Sequence, residues 1–193
     1  MKTQTTLINL YGSSGSGKST VAAMLFAFMK CARFDVELIR EAVKELTFTD
    51  KTLLPIDFFI ANAEQIRLTD LYLGQVDFLI TDSPLLLDKY YRMNNTARAN
   101  MSITYTPQSK VCLEKNYFIP LVGKEHFQEK GRFEKFEESQ KNMETLKTFL
   151  QNEQTPYKLL EVQNTNTLIT RCRDLCSQIL VDLNLSLVST EVS

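Results

Sequence analysis

The chain has 193 residues, of which 44% are hydrophobic and 23% are charged, and its formal net charge is −1. These values are ordinary for a soluble globular protein, and we take residues 1–193 as one domain. The small net charge excludes a global field that would attract nucleic acid or an anionic membrane, and no apolar run approaches membrane-spanning length.

The cysteines and the histidine point away from disulfide and transition-metal chemistry. Cys31, Cys112, Cys172 and Cys176 are scattered without a Cys-x-x-Cys motif, and His126 is the single histidine. We therefore expect reduced, structural thiols in a cytoplasmic protein. No signal-peptide pattern opens the chain, because the first predicted strand begins almost at once.

The first half of the chain predicts alternating strands and helices. A strand at residues 6–10 is followed by a glycine-rich loop and a helix at 19–31. A second strand at 35–39 leads into a helical stretch at 40–46. The next helix, at 56–73, begins after Pro55 and ends at Gly74. Its apolar residues at helical spacing are Phe59, Ile60, Ala63, Ile66 and Leu71.

The second half predicts three more strands, at 78–81, 117–122 and 157–162, with helices at 134–151 and 167–183. Residues 92–132 are predicted as a loop or lid region around the fourth strand, and 185–193 as a frayed tail. Apolar strands separated by helices indicate an α/β fold, in which helices cover both faces of a five-stranded parallel sheet.

The loop after the first strand is a phosphate-binding motif. Residues 12–19 spell Gly-Ser-Ser-Gly-Ser-Gly-Lys-Ser, a complete Walker A sequence between a strand and a helix. Backbone N–H groups of such a loop and the helix N-terminus form an anion site. Lys18 is expected to reach the β- and γ-phosphates, and Ser19 to ligate Mg²⁺. The predicted nucleotide-binding residues are Gly12, Ser13, Ser14, Gly15, Ser16, Gly17, Lys18, Ser19 and Thr20.

Three further candidates lie near the carboxyl ends of strands, where α/β sheets bind ligands. Asp82 closes an apolar strand and is expected to hold Mg²⁺ opposite Ser19; the alternative is a turn or helix N-cap residue. Glu41 is a candidate base for an acceptor hydroxyl, or else a solvated glutamate in a first helical turn. Arg132 is a candidate to neutralise charge on the transferring phosphoryl group, or else an ordinary surface arginine.

Two residues on the helix before the third strand are candidate substrate contacts. Gln65 has both a donor and an acceptor and suits a base edge, although such glutamines are also commonly solvated. Arg67 lies on the same helix. Aromatic side chains suited either to stacking on a base or to the core are Phe58, Phe59, Tyr90 and Tyr91.

The order of these motifs resembles the P-loop kinases of the nucleoside and nucleotide kinase group, and most closely the ribosylnicotinamide-kinase-like ATPase/kinase domains. The likeness extends over residues 7–162. Besides the phosphate loop, the matching residues are Glu41-Ala-Val-Lys44, Gln65, Asp82, residues 117–122, Gly131-Arg132 and Pro156-Tyr157. The resemblance implies a P-loop NTPase three-layer sandwich with a small lid, and ATP with Mg²⁺. Lys44 and Ser83 stand where these kinases commonly have arginines, and both departures concern the acceptor.

Three functions are compatible with these residues. The first is a kinase that transfers the γ-phosphoryl group of ATP to a nucleoside, nucleotide or related small molecule. The second is a nucleotide-hydrolysing switch that acts through a protein partner, although the chain has no Asn-Lys-x-Asp guanine-reading motif. The third is a kinase for a hydroxylated base within DNA, for which the slightly acidic balance is unfavourable. A local basic rim for DNA would consist of Lys110, Lys115, Lys124, Lys130 and Arg132.

Overall fold

The residues described by the computed structural model are 4–48, 53–93, 112–128, 134–162 and 167–185. Four predictions lie wholly or partly outside them, one of which is the basic rim, through Lys110, Lys130 and Arg132. Of the predicted lid region, residues 92–132, the structure describes Arg92 and Met93 and then residues 112–128. The motif pair Gly131-Arg132 and nearly all of the predicted tail, residues 186–193, lie outside the described residues.

The described residues form a parallel sheet in which the strand that leads into the phosphate loop is central. The strands are β1 (Thr5–Tyr11), β2 (Val36–Ile39), β3 (Phe78–Thr81), β4 (Cys112–Phe118) and β5 (Lys158–Leu159). They are ordered β2-β3-β1-β4-β5, and every neighbouring pair is parallel. Because β1 lies between β3 and β4, the loop after β1 emerges in the middle of the sheet's carboxyl edge.

Helices cover both faces of this sheet. They are α1 (Lys18–Cys31), α2 (Pro55–Tyr72), α3 (Leu85–Met93), α4 (Phe136–Asn152) and α5 (Leu168–Asp182). Side chains alternate along a strand, so Ile8 and Leu10 pack in one core with α1 and α5. Leu7 and Tyr11 face the opposite side, where α2, α3 and α4 complete two further clusters. The predicted α/β fold is confirmed. Within the described ranges, none of these helices is long and apolar enough to cross a membrane.

The predicted fourth strand, 117–122, is wrong in extent, because β4 begins at Cys112 and ends at Phe118. Its middle three residues, Glu114, Lys115 and Asn116, are polar, so Cys112 and Leu113 before them do not form part of a longer apolar run. The polar residues have partners in the sheet: Asn9 Nδ2 donates to Asn116 Oδ1 at 2.9 Å. Pro120 has no N–H with which to extend the ladder.

Two other elements differ from the sequence predictions in their bounds or type, and one helix was not predicted. The fifth strand, predicted at 157–162, is limited to Lys158–Leu159 at the sheet edge. The helical stretch predicted at 40–46 is a 3₁₀ helix at Ala42–Phe48. Helix α3, Leu85–Met93, was not predicted, although Pro84 directly precedes it and a proline favours a helix start.

Helix α2 has nearly its predicted bounds, but its predicted apolar face is wrong. Ile60 is 59% exposed and Leu71 is 52% exposed. The buried residues are instead Ala61, Asn62, Gln65 and Thr69. Buried polar side chains require hydrogen-bond partners, so the inward face of α2 is suited to a polar site rather than to an apolar core.

Three of the four cysteines are in the positions expected of structural thiols. Cys112, Cys172 and Cys176 are buried, whereas Cys31 is exposed. Burial raises the pKa of Cys112 to about 11 and that of Cys176 to about 12. These two thiols are therefore protonated at neutral pH, which makes them poor nucleophiles.

Candidate active site

The loop between β1 and α1 has the backbone conformation of an anion cradle. Gly15 and Gly17 have φ values of 81° and 95°, which residues with a Cβ rarely adopt. Gly17 is the N-cap of α1, so the amino end of that helix, with the positive end of its dipole, adjoins the loop. Lys18 Nζ donates to the carbonyl oxygens of Gly12 at 2.8 Å and Ser13 at 3.0 Å. The lysine cation is thus held against the loop itself.

Two buried serine hydroxyls in this loop fit a phosphate ligand. Ser13 is 3% exposed and Ser16 is fully buried. Neither Oγ has a hydrogen-bond partner in the described part of the chain. A buried hydroxyl without a partner is costly, and a phosphate oxygen is an acceptor that would remove the cost.

Asp82 and Glu41 meet because their strands are neighbours. Strands β2 and β3 pair with Ile39 beside Thr81, so the residues after both strands emerge side by side. The backbone N–H of Glu41 donates to Asp82 Oδ1 at 2.9 Å. Asp82 is only 3% exposed. Its carboxylate therefore connects the ends of two strands, whereas a turn or N-cap residue would bond only to its neighbours in sequence.

A cavity of about 530 Å³ extends from the phosphate loop to α2 and α3. This volume is within the range of small-molecule sites. Site residues predicted from the sequence that line it are Ser14, Gly15, Gly17, Lys18, Ser19, Thr20, Glu41, Gln65 and Asp82. The structure thus brings together residues from four separate parts of the chain.

The charge of this cavity is predominantly negative among the residues described. Its carboxylates belong to Glu41, Asp82, Asp88 and Glu134, and its ammonium groups to Lys18 and Lys44. Aromatic surface comes from Phe58, Tyr90 and Tyr91. Burial raises the pKa of Tyr90, so its phenol is neutral at physiological pH.

Gln65 lies in the cavity wall, and Arg67 does not. Gln65 Nε2 donates to Thr81 Oγ1 and to the carbonyl oxygen of Ser83, both at 3.2 Å. Gln65 is 6% exposed, so the solvated alternative is wrong. Arg67 has a 59% exposed side chain that pairs with Glu64 on the same helix. Arg67 is therefore set aside as a substrate contact.

Asp88 links α2 to α3 in a way that the sequence did not predict. Asn62 Nδ2 donates to Asp88 Oδ2 at 2.9 Å, and Arg92 Nε donates to the same oxygen at 2.7 Å. Asn62 and Asp88 line the cavity, and all three side chains border a second cavity of about 520 Å³. The sequence did contain one signal of this link. Asn62 lies one helical turn before Gln65, and Asp88 lies one turn before Arg92, so the members of each pair share a helix face.

The segments on either side of Arg132 border the cavity and the phosphate loop, although Arg132 itself lies outside the described residues. Gln128 and Glu134 line the cavity. Phe127 packs directly on the phosphate loop, because a Cβ added to Gly15 would lie 2.1 Å from Phe127 Cε2. A position for Arg132 near the transferring group stays a prediction.

Comparisons with known proteins relate this architecture to solved structures, one of which is a kinase. No protein-family profile matches the chain, and no curated protein matches it. A structure of deoxyadenosine kinase from M. mycoides, with the products dCMP and a flexible dCDP bound, is 18% identical with a TM-score of 0.53. That comparison covers 92% of this chain and 98% of the other. The structure of APE1195 is 14% identical with a TM-score of 0.45, and covers 94% and 97% of the two chains.

At these identities the likeness concerns the fold. The five-stranded parallel sheet between two helical layers is consistent with a P-loop kinase fold like that of deoxyadenosine kinase. The ribosylnicotinamide-kinase-like subgroup, suggested by the motif order, stays a prediction.

Proposed function

We propose that this protein is an ATP-dependent kinase that transfers the γ-phosphoryl group to a hydroxyl of a nucleoside or related small molecule. The observation that carries the proposal is the hydrogen bond from Glu41 N to Asp82 Oδ1, in a cavity shared with Lys18 and Ser19. A phosphate loop alone occurs in kinases and in hydrolytic switches alike. The carboxylate-lined cavity beside the loop would provide an acceptor site, which a kinase needs and a hydrolytic switch does not.

The donor half of the proposal is the phosphate loop. On binding ATP, Lys18 would exchange its two carbonyl acceptors in the loop for phosphate oxygens. The hydroxyls of Ser13 and Ser16 would gain the acceptors they lack. Ser19 and Asp82 would hold Mg²⁺, which supplies positive charge against the phosphoryl oxygens.

The acceptor half is formed by the loop after β2 and the inward face of α2. Glu41 would accept the proton of the attacking hydroxyl, on a backbone already held by Asp82. Gln65 Nε2 is committed to Thr81 and Ser83, whereas no donor among the described residues bonds to its Oε1. That oxygen suits an amino or ring N–H donor of a nucleobase.

The charge of the cavity favours an acceptor without negative charge. Four carboxylates face two ammonium groups across the described lining, and one of the four, Asp88, is paired with Arg92. Such a site repels a phosphorylated acceptor more than a nucleoside, because like charges at close range are unfavourable. We therefore rank uncharged nucleosides, and ribosylnicotinamide with its cationic pyridinium ring, above nucleotides. Arg132 is proposed as the cation that covers the transferring group.

A substrate panel tests the proposal. The purified protein is incubated with ATP and MgCl₂, and with ribonucleosides, deoxynucleosides, ribosylnicotinamide, the matching 5′-monophosphates or DNA that carries hydroxymethylated bases. Mass spectrometry then detects phosphorylated products. We expect transfer to at least one nucleoside, and none with Lys18→Ala.

Two outcomes would favour the alternatives. Transfer to no acceptor, with slow ATP hydrolysis that no acceptor accelerates, would contradict the kinase and favour a switch. Transfer to DNA alone would replace the nucleoside by a polymer substrate, and this activity should then fall steeply with added salt.

A further inference from the structure

We infer that Arg171, on α5, is a positioning residue that holds the phosphate loop in its triphosphate-binding conformation. The inference rests on the proposed function, because it concerns how the donor is bound. The helix that contains Arg171 was predicted only as a closing element of the fold. Arg171 is 155 positions from its partner in the loop, Ser16.

Arg171 joins the loop to a second segment at the same edge of the sheet. Its Nη1 donates to the carbonyl oxygen of Ser16 at 3.0 Å, and its Nη2 donates to that of Pro120 at 2.6 Å. The side chain is 6% exposed. A guanidinium is planar and presents its donors in a rigid fork, so it fixes two acceptors relative to one another. The phosphate loop is thereby tied to the segment that follows β4.

The bond to Ser16 determines which way the next amide points. In a trans peptide the C=O of Ser16 and the N–H of Gly17 point in opposite directions, and no described peptide bond is cis. Since Arg171 holds the Ser16 oxygen on its own side, the Gly17 N–H is directed to the other side. Gly17 lines the cavity. A Cβ on Gly17 would lie 3.3 Å from Arg171 Nη1, so the loop and the guanidinium are closely packed.

Arg171 also places a positive charge behind the phosphate loop. Its described acceptors are carbonyl oxygens, and no described carboxylate lies within ion-pair distance. Burial lowers the pKa of Arg171 from its ordinary value of 12.5, but arginine remains charged at neutral pH. A cation in a poorly solvated place favours an anion nearby. The oriented N–H of Gly17 and the buried charge of Arg171 both act on the phosphates of the ligand and not on its nucleoside.

Ligand binding by folded variants tests this role. Calorimetry measures the Kd of ATP–Mg²⁺ and of inorganic tripolyphosphate for the wild type, Arg171→Met and Arg171→Lys. Ile179→Val is the matched control, because Ile179 is a fully buried apolar residue of the same helix. We expect Arg171→Met to raise both Kd values about 10-fold to 100-fold, in line with charge-assisted hydrogen bonds. Arg171→Lys should raise them less, and Ile179→Val should leave them within about twofold.

The outcomes separate this inference from the proposed function. If the wild type binds neither ligand, the proposed function fails. If the wild type binds both, and folded Arg171→Met and Arg171→Lys bind them equally well, Arg171 is merely structural and the inference fails alone. A lower Tm with an unchanged Kd has the same meaning.

Hydrogen exchange on the wild type provides a test that needs no variant. ATP is expected to slow amide exchange in residues 12–19 and also near Arg171 at the start of α5. Protection confined to residues 12–19 would overturn the inference, even if neither arginine variant folds.

Discussion

Replacing Asp82 by asparagine separates the charge of this residue from its hydrogen bond to Glu41. The asparagine Oδ1 can still accept the Glu41 N–H, which is 2.9 Å away in the wild type. A hydrogen bond to a charged acceptor contributes about 1.5–3 kcal/mol, and one between neutral groups about 0.5–1.5 kcal/mol. The weakened bond therefore costs about 1 kcal/mol of unfolding free energy. Removal of a charge from a position only 3% exposed offsets part of this loss.

The effect of Asp82→Asn on catalysis is expected to be much larger than its effect on stability. If Asp82 holds Mg²⁺, the variant loses transition-state stabilisation of several kcal/mol, and each 1.36 kcal/mol is about tenfold in rate. We expect kcat/KM to fall at least about 100-fold, and the Mg²⁺ requirement to rise.

Urea unfolding without nucleotide and steady-state kinetics across a MgCl₂ titration measure these two effects separately. Wild-type turnover and wild-type Mg²⁺ dependence in Asp82→Asn would refute the metal role. A loss of more than about 3 kcal/mol of unfolding free energy would refute the argument that asparagine preserves the link to Glu41.

Two further predictions concern the acceptor side and the pH dependence of stability. Gln65→Leu removes the hydrogen bonds from α2 to the last residue of β3 and to the loop after it, so steady-state assays should show an acceptor KM about tenfold higher and an ATP KM within twofold. Arg67→Ala is its control and should change neither; equal rises in both KM values would contradict an acceptor role for Gln65. Asp182 accepts a hydrogen bond from Lys158 at 2.7 Å, which holds the pKa of Asp182 below its ordinary value of 3.8. Its carboxylate therefore stabilises the fold above about pH 4, and this contribution is lost as pH falls through the lowered folded pKa. In urea titrations Asp182→Asn should cost about 0.2–1 kcal/mol at pH 7 and nothing below that folded pKa, and a cost independent of pH would show that the charge is not the cause.

The parts of the site predicted from the sequence are those that depend on local patterns or on strand order. The phosphate loop was predictable because its conformation depends on nearby glycines such as Gly15 and Gly17. The proximity of Glu41 and Asp82 was predictable because both follow apolar strands, and parallel strands end at the same edge. The loop glycines are close together in sequence, and Glu41 and Asp82 each follow a strand, so both features leave a pattern in the sequence.

The parts that were missed depend on which side of an element faces inward. Apolar spacing along α2 suggested that Ile60 and Leu71 are buried, but the helix buries Asn62 and Gln65 because they find polar partners. The start of β4 at Cys112 was missed because the polar residues Glu114, Lys115 and Asn116 interrupt its apolar pattern. Arg171 gave no local signal, since both its partners are distant in sequence.

The turnover of Glu41→Gln, measured beside that of Glu45→Gln on the best acceptor, is the most direct test of phosphotransfer in this cavity. Glu45 is a matched control because it lies nearby on the following 3₁₀ helix, is exposed and does not line the cavity. If the cavity is a phosphotransfer site with Glu41 as its base, Glu41→Gln should lower kcat about 100-fold or more. Its Kd for ATP should stay within twofold, and Glu45→Gln should match the wild type in both values. A Glu41→Gln variant with wild-type kcat would contradict the account.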